Sequence, residues 1–305
     1  MVEKSNQKNV KVLAFGEILF DIIEGEPFLG GAPLNFAAHF ARLGGESYIF
    51  SRVGNDELGK KALVDIENIG VKTAFIQNDT RYETGTVDVI LSSGQPDYTI
   101  VENVAYDFIE PGIIKDDLKQ FNFDILYYGT LAQRNQESRK TLRKLIEQVK
   151  FKHVFYDVNL RKNFFSREIL EFSLQSCTIL KLNDEEVNIL GLIFFNEHLS
   201  LESFAQKIAD KFLIDIVIIT VGAKGCVIHG NNYSHFVKGY PAEVVDTVGA
   251  GDSFSAAFLY QYFKNQDPIL AADLANQLGA FVASCRGPIP HYSNEIKRKL
   301  GISFP

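Results

Sequence analysis

A glycine-rich turn followed by an aspartate lies within residues 244–262, VVDTVGAGDSFSAAFLYQY. The residues after the turn predict a helix that opens with Asp252, so Gly249, Ala250 and Gly251 occupy its start. A helix start leaves backbone N–H groups unpaired and carries the positive end of the helix dipole, and glycine lets an anion approach the backbone. The turn therefore predicts a phosphate site. Asp252 would repel phosphate, so it is placed to accept a proton beside one, as in phosphoryl transfer to a hydroxyl.

A helix cap explains the same turn without any ligand, because Asp and Ser open many helices and glycine-rich turns precede many more. The longer string DTVGAGD, residues 246–252, resembles the carboxyl-terminal signature of the ribokinase-like (PfkB) carbohydrate kinases. This resemblance implies an ATP-dependent kinase in which Asp252 takes the proton from a primary hydroxyl of a sugar. The backbone amides of Gly249, Ala250 and Gly251 would then stabilise the charge on the transferring phosphoryl group.

The composition limits the class of protein and its partners. With 305 residues, 46% of them hydrophobic, the chain can bury a large core and predicts one large α/β domain or two smaller ones. Its net charge of -7 argues against a nucleic-acid surface. The spacing of Cys177, Cys226 and Cys285 matches no disulfide framework or zinc site, and no apolar run is long enough to span a membrane. We therefore expect a soluble cytoplasmic protein without nucleic-acid or membrane partners.

The order of apolar and polar segments predicts the fold class. From residue 123 onward apolar strands alternate with helices, which implies a parallel sheet covered on both faces, with ligands at the carboxyl ends of its strands. Residues 73–108 alternate with a period of two between turn signals and predict a small separate sheet. In the ribokinase-like kinases such a sheet is a lid that excludes water from the sugar site. The resemblance implies one ribokinase-like α/β domain over residues 1–305, with a central mostly parallel sheet, helices on both faces and lid strands from about 18–29 and 73–108.

A pair of glycines precedes a predicted helix at residues 34–43, and residues 24–33 predict the turn that leads into it. Gly30 and Gly31 can admit a ligand to the backbone there, although an ordinary loop with a capping residue explains the pattern equally well. Residues 16–35, with an Asp after the first strand, then GG and then Asn, resemble the amino-terminal signature of the family. The resemblance implies that sugar hydroxyls are held by four residues, Asp21, Gly30, Gly31 and Asn35. Carboxylates and amides suit this task because they discriminate hydroxyl patterns through paired hydrogen bonds.

Residues 54–61, GNDELGKK, nearly match the phosphate-binding P-loop pattern. Lys61, however, occupies the position at which that pattern needs a magnesium-binding Ser or Thr. The acidic start of an amphipathic helix at Asp56 and Glu57 explains the stretch better.

Two groups of polar residues follow predicted strands in the middle of the chain. The string DVNLR, residues 157–161, is typical of turn chemistry, and from the residues alone we favour that interpretation. It also resembles the D-x-N-x-R of fructokinases and 2-keto-3-deoxygluconate kinases, which implies that Arg161 contacts the substrate or a phosphate. The string NDEE, residues 183–186, predicts an acidic helix start, and it also resembles the family's N-x-x-E motif. That resemblance implies that Asn183 and Glu186 organise Mg²⁺, through its waters, near the phosphates of ATP.

Further resemblances concern the nucleotide and a monovalent cation. The strand end at Thr220, Gly222 and Gly225 resembles the nucleotide-binding segment of the family, and Asn276 lies where relatives line the adenine pocket. The resemblance also implies that Asp246, the carbonyl of Val248 and the tail at residues 287–290 bind a monovalent cation such as K⁺.

The leading substrate is D-fructose, because GEILFD, GGAPLNFA and DVNLR resemble fructokinases more than ribokinases. A 2-keto-3-deoxygluconate kinase is the nearest alternative, since Arg161 could pair with a sugar carboxylate. Ribokinase and nucleoside kinase are further alternatives, and a catalytically silent sugar- or nucleotide-binding regulator on the same fold is an alternative of another class. A dinucleotide oxidoreductase is disfavoured because no G-x-G-x-x-G follows the first strand. The exposed strand edges of a lid sheet would also favour a homodimer formed through it.

Overall fold

The computed structural model describes residues 10–92, 95–114, 118–230 and 233–302. In chain order, the strands are β1 (Lys11–Phe15), β2 (Leu19–Ile23), β3 (Glu26–Gly30), β4 (Glu46–Gly54), β5 (Ile76–Asp79), β6 (Gly85–Ser92), β7 (Gln95–Ile100), β8 (Ile125–Tyr128), β9 (His153–Asp157), β10 (Ile179–Asn183), β11 (Ile216–Thr220), β12 (Gly225–Gly230) and β13 (Tyr233–Lys238). The helices are α1 (Ala32–Arg42), α2 (Glu57–Asn68), α3 (Gln136–Gln148), α4 (Arg167–Ser176), α5 (Asp184–Phe195), α6 (Leu201–Phe212), α7 (Ala250–Asn265), α8 (Pro268–Ala283) and α9 (Asn294–Lys299).

Within the described ranges, nine strands form the large sheet in the order β13-β12-β11-β10-β9-β8-β1-β4-β5. Neighbouring strands are parallel from β11 to β5, and β12 and β13 add antiparallel pairs at one edge. Successive residues of β1 pack in opposite cores: Val12 lies on the face covered by α1, α7 and α8, and Leu13 on the face covered by α3 to α6. The expected mostly parallel sheet with helices on both faces is confirmed.

A separate four-stranded sheet has the order β3-β2-β6-β7. Its inner face packs on a small cluster that includes Leu19, Val87, Val104 and Tyr106. The pairing of β2 with β6 is parallel and joins two distant parts of the chain, whereas β3 and β7 pair antiparallel with their sequence neighbours. We call these four strands the small sheet.

Three details of the predicted strands are corrected. The glycines and the proline of residues 24–33 predict a turn, but the segment contains the strand β3. Pro27 is compatible with this strand because β3 lies at the edge of the small sheet. Residues 73–108 do not all belong to the small sheet, because β5 pairs with β4 in the large sheet. Phe75, just before β5, is buried there against Tyr48. After Ile100 the chain leaves the strand, and Ala105–Phe108 is a short 3-10 helix.

None of the helices in the described part of the chain is both long and apolar enough to cross a membrane. The three cysteines are free thiols.

Candidate active site

Helix α7 begins at the glycine-rich turn, as the sequence predicts. Gly249 is its N-cap residue, with a φ of 78° in the left-handed region that favours glycine. A Cβ at Gly249 would lie 2.6 Å from the backbone of Pro288, so only glycine lets the carboxyl-terminal segment pass this close. Ala250, Gly251 and Asp252 form the first turn of α7, and no side chain caps it. The Ala250 N–H makes a long bond of 3.3 Å to the carbonyl of Thr247.

Asp252 is half-buried and faces α1. The side-chain amide of Asn35 donates a 2.9 Å hydrogen bond to Asp252 Oδ2. Burial and the negative charge of Asp157 raise the pKa of Asp252 to about 6, against the Asn35 bond and the positive charges of Lys181 and Arg161. A carboxyl with a pKa near 6 is ionised at neutral pH yet accepts a proton more readily than an ordinary aspartate, so Asp252 has the properties of a general base.

The predicted sugar-binding glycines lie where other groups approach the backbone closely. Gly31 is the N-cap residue of α1, with a φ of 112°, and a Cβ there would lie 2.4 Å from the carbonyl oxygen of Glu17. A Cβ at Gly30 would lie 2.9 Å from Asp21 Oδ2. The glycines thus bring the segment after β1, the start of α1 and the carboxyl of Asp21 together.

Glu17 is a candidate site residue that the sequence analysis does not single out. It follows β1 directly and is only 3% exposed. Burial and the charge of Asp252 raise its pKa to about 7, although Arg161 and the backbone N–H of Ala32 lower it. The available signal was a charged residue at the end of a buried apolar strand, in the string GEILFD.

Arg161 lies on the exposed loop after β9, between Asn159 and Lys162, which both have a positive φ. The guanidinium acts on three carboxyl groups: it lowers the pKa of Glu17, Asp21 and Asp252, each of which burial raises. The structure therefore gathers Arg161 with the other predicted sugar-site residues.

Three buried polar atoms in this region lack a hydrogen-bond partner among the described residues. They are Glu17 Oε2, Asn35 Oδ1 and the hydroxyl of Tyr106. Tyr106 is fully buried, and the charge of Glu17 acts on it. Buried polar groups without partners cost folding free energy. Such atoms beside the Asp252 carboxylate are suited to bind the hydroxyls of a polar ligand.

The preference for turn chemistry at DVNLR is wrong for Asp157. Its carboxylate is 1% exposed and pairs with Lys181 Nζ at 3.0 and 3.1 Å. Ser255 and Tyr127 also donate to it, at 3.0 and 3.2 Å. The side chain turns inward because it lies on the same face of β9 as the buried Phe155, two residues earlier.

The string NDEE forms the helix start that the sequence predicts. Asn183 Oδ1 accepts from the backbone N–H of Glu186, and Glu186 Oε2 accepts from the backbone N–H of Asn183, both at 2.8 Å. Glu186 Oε1 accepts a further bond from the N–H of Leu160. Burial raises the pKa of Glu186. The capping box accounts for both side chains, and the metal role stays a prediction.

The predicted nucleotide residues lie around the β11–β12 hairpin. Thr220 ends β11, and Gly222 has a φ of 54° and open space around it. Gly225 allows strand pairing, because a Cβ there would lie 2.0 Å from the carbonyl oxygen of Val237. Asn276, on α8, donates to the carbonyls of Val237 and Lys238 at 3.4 and 3.3 Å. Their roles toward a nucleotide stay predictions.

Asp246 joins the segment before α7 to the carboxyl-terminal tail. Its Oδ1 accepts from the Val248 N–H at 3.0 Å, and its Oδ2 from the Gly287 N–H at 3.1 Å. The structure thus brings the predicted cation residues Asp246 and Val248 to the tail.

Residues 54–61 form the start of α2, as the acidic residues Asp56 and Glu57 predict, and not a P-loop. Asp56 is the N-cap residue of α2, and its carboxylate accepts from the backbone N–H of Gly59 at 2.7 Å. The same carboxylate accepts from the N–H and the hydroxyl of Thr84, at 2.7 and 2.8 Å. Asp56 therefore ties α2 to the segment that enters the small sheet.

A mostly parallel sheet with helices on both faces, a small separate sheet and a carboxylate at a glycine-rich helix start together point to a class of phosphotransferase. Residues 9–295 match the pfkB family carbohydrate kinases, and the chain belongs to this family.

Individual relatives agree with this assignment. The chain is 30% identical over 296 residues to an uncharacterized sugar kinase of Pyrococcus horikoshii, covering 90% of this chain and 91% of the relative. The crystal structure of that kinase with ATP has a TM-score of 0.77 to this one and 27% identity, covering 91% and 94% of the two chains. A fructokinase of Vibrio alginolyticus is 28% identical over 297 residues, covering 91% and 94%. The structure of the Vibrio cholerae O395 fructokinase with fructose, ADP and calcium has a TM-score of 0.79 and 27% identity, covering 92% and 94%.

Proposed function

We propose that this carbohydrate kinase transfers the γ-phosphate of ATP to a primary hydroxyl of D-fructose, forming fructose 6-phosphate, with Asp252 as the general base. The observation that carries the proposal is the half-buried Asp252 carboxylate at the first turn of α7, held by Asn35. Its pKa of about 6 suits a base that works at neutral pH.

In the proposed reaction, Asp252 takes the hydroxyl proton as the sugar oxygen attacks the γ-phosphorus. The bond between that phosphorus and the β–γ bridging oxygen breaks, and ADP leaves with its electron pair. The amides of Gly249, Ala250 and Gly251 stabilise the charge on the transferring group, each such donor being worth about 3 kcal/mol in preorganised sites.

The charges around Arg161 favour a neutral sugar over a sugar acid. Its guanidinium is shared by Glu17, Asp21 and Asp252. A substrate carboxylate would have to compete with these groups for one cation, whereas sugar hydroxyls can donate to the carboxylates. The fructokinase relatives support the same choice. A 2-keto-3-deoxygluconate kinase or a ribokinase on this fold remains the alternative.

We propose that Thr220, Gly222 and Gly225 at the β11–β12 hairpin contact ATP, together with Gly249 and Gly251. Gly222 supports this because the space above it is open. Asn276 would line the adenine pocket from α8, where its side chain contacts β13, the strand that pairs with β12.

Magnesium is the proposed metal of the reaction, with K⁺ as a second cation. Each Glu186 oxygen accepts one N–H and keeps a further lone pair, so Glu186 and Asn183 can hold waters of a magnesium ion. Bound magnesium would neutralise charge on the phosphates. Asp246 likewise keeps lone pairs for K⁺ beside the carbonyl of Val248 and the tail.

We also propose that residues 1–305 are one domain, that the small sheet is a lid which excludes water from the sugar, and that the protein is cytoplasmic. The lid is supported by the position of Asp21 on β2, next to Gly30. The cytoplasmic location is supported by the three free thiols, since a reducing compartment maintains them.

The experiment is ADP release from ATP and magnesium with fructose, ribose, 2-keto-3-deoxygluconate, adenosine and no sugar. We expect the highest kcat/KM with fructose. A preference for the sugar acid would refute the fructose assignment and retain the kinase. Sugar binding by calorimetry without turnover of any substrate would refute the kinase reaction and support a silent regulator.

A further inference from the structure

Lys181 is a buried cation in the middle of the large sheet. It lies on β10, its side chain is 10% exposed, and β10 is otherwise apolar up to Asn183. Burial alone lowers the pKa of such an ammonium, but the carboxylates of Asp157, Glu186 and Asp252 more than offset it and raise the pKa. Lys181 therefore stays charged. Burying a charge costs folding free energy even when the charge is paired. We therefore looked for a role of Lys181 in the neighbouring site at the start of α7.

The ion pair of Lys181 and Asp157 touches the start of α7 from beneath at two points. A Cβ at Gly251 would lie 3.3 Å from Lys181 Nζ, so the ammonium lies against the backbone of the glycine-rich turn. The hydroxyl of Ser255, one turn further along α7, lies 3.0 Å from both Asp157 Oδ2 and the carbonyl oxygen of Gly251, and its single proton can be donated to either acceptor. The pair therefore fixes the helix turn that carries Asp252.

Polar or charged groups from several elements act on Asp252 or are acted on by it. Asp157 comes from β9 and Lys181 from β10, Arg161 from the loop after β9, Asn35 from α1, Glu17 from the segment after β1 and Tyr127 from β8. Lys181 and Asp157 lie within the sheet and contact the first two turns of α7 from below.

We propose that Lys181 and Asp157 are a pair of positioning residues for the transfer site, which hold the first turn of α7 and set the charge environment of Asp252. The inference rests on the proposed role of Asp252 as base. Lys181 favours the ionised carboxylate, and Asp157 opposes it.

The test compares the pH profiles of kcat/KM for Lys181→Met and Asp157→Asn. Catalysis needs ionised Asp252, so activity falls on the acid side at the pKa of Asp252. Loss of the cation raises that pKa, and we expect the acid limb of Lys181→Met to move up by on the order of one pH unit. Loss of the anion lowers it, so the acid limb of Asp157→Asn moves down, while Glu186 and Asp252 keep Lys181 charged.

Lys181→Arg and Arg52→Met are the controls. Lys181→Arg keeps the positive charge, so the acid limb of its pH profile should stay near the wild-type position. Arg52 forms a comparably buried ion pair with Asp79, 2.7 Å apart and in a different part of the sheet. Arg52→Met should lower stability and leave the acid limb unchanged. These controls separate a charge effect from general destabilisation.

Carbon-13 NMR of carboxyl-labelled aspartate measures the same pKa without turnover, with the Asp252 signal assigned by its loss in Asp252→Asn. Shifts of opposite sign in the two variants support the inference. Equal acid limbs and equal NMR pKa values, or shifts of the same sign, overturn it. If Lys181→Met does not fold, the pKa of Asp252 in Asp157→Asn decides: a lower pKa than in wild type supports the inference, and an unchanged or higher one overturns it. A wild type without sugar-dependent turnover would refute the proposed function, and the NMR titration would still decide the charge pair.

Discussion

Glu17 shows how a single buried carboxyl can be prepared for a polar ligand. It is buried beside Asp252 and Arg161, and its Oε2 has no partner in the described structure. Leaving such an atom unpaired lowers the stability of the folded protein. A sugar hydroxyl that donates to Oε2 would offset this cost on binding. The interaction should therefore contribute to sugar affinity and not to nucleotide affinity.

We expect Glu17→Gln to raise the KM for the sugar by about 10-fold or more, because an amide replaces one acceptor oxygen with a donor. The KM for ATP should stay near the wild-type value. Steady-state kinetics with each substrate varied in turn would measure both constants. An unchanged sugar KM, or an equal rise in both constants, would contradict a direct role in sugar binding.

Asp56 illustrates how one side chain can organise a helix and the segment beside it. It caps α2 and also accepts two bonds from Thr84 at the entrance to the small sheet. Hydrogen bonds accepted from all of these groups hold the pKa of Asp56 below its usual range, despite burial.

We expect Asp56→Ala to reduce the free energy of unfolding by about 2–4 kcal/mol, since it removes a helix cap and leaves donors of Thr84 unpaired. Asp267→Ala is the matched control: Asp267 caps α8 through two backbone N–H groups on an exposed surface. Its loss should cost about 1 kcal/mol. Urea unfolding measures both. A raised KM for ATP in Asp56→Ala with unchanged stability would instead revive the P-loop interpretation.

The helix starts could be predicted because their signals are local. Asn183 and Glu186 stand three residues apart and bond each other, and Asp56 caps the helix that its own segment begins. The pairing of β2 with β6 could not be predicted, because it joins residues that are more than 60 positions apart and period-two alternation carries no partner information. Likewise, the pairing of Asp157 with Lys181 depends on two strands becoming neighbours. The glycine-rich turn was found because its chemistry lies within one short string.

His39 links distant parts of the whole molecule. It is fully buried on α1, and its ring nitrogens bond the hydroxyl of Tyr292 at 2.6 Å and the carbonyl of Pro288 at 2.8 Å. Gly249 lies against Pro288, so the bond from His39 to Pro288 also supports the glycine-rich turn. Burial lowers the pKa of His39 from 6.5 to about 4.

The unfolded chain therefore binds more protons than the folded one between pH 6.5 and about 4. The contribution of His39 is fully present above pH 6.5 and is lost as the pH falls, by about 3 kcal/mol in total. His39→Gln removes the titrating group, so its free energy of unfolding should depend less on pH in this window. Denaturant unfolding at a series of pH values tests this, with the exposed His235→Gln as control. Equal pH dependence in His39→Gln and wild type would contradict it.

Association of two copies through the small sheet is a second prediction for the whole molecule. Among the residues that the structure describes, the edge strands β3 and β7 each have an unpaired side. Ile23, Phe28 and Tyr98 are large apolar residues with exposed fractions of 43%, 53% and 45%. Open strand edges and exposed apolar side chains favour pairing with a second copy.

We expect light scattering after size exclusion to give twice the chain mass of 34.2 kDa. Phe28→Glu should shift the mass toward that of one chain, whereas Leu213→Glu, at an 86% exposed position on α6's carboxyl end, should not. A wild-type mass of a single chain at working concentration would rule out the dimer.

The most direct test of the account concerns Asp252. We would measure ADP release with ATP, magnesium and fructose for wild type, Asp252→Asn and the exposed control Asp210→Asn. We predict fructose-dependent turnover in wild type and control, and a loss of about 10²- to 10⁴-fold in Asp252→Asn, since an amide cannot accept the proton. Normal turnover in Asp252→Asn would contradict the central claim that Asp252 is the base.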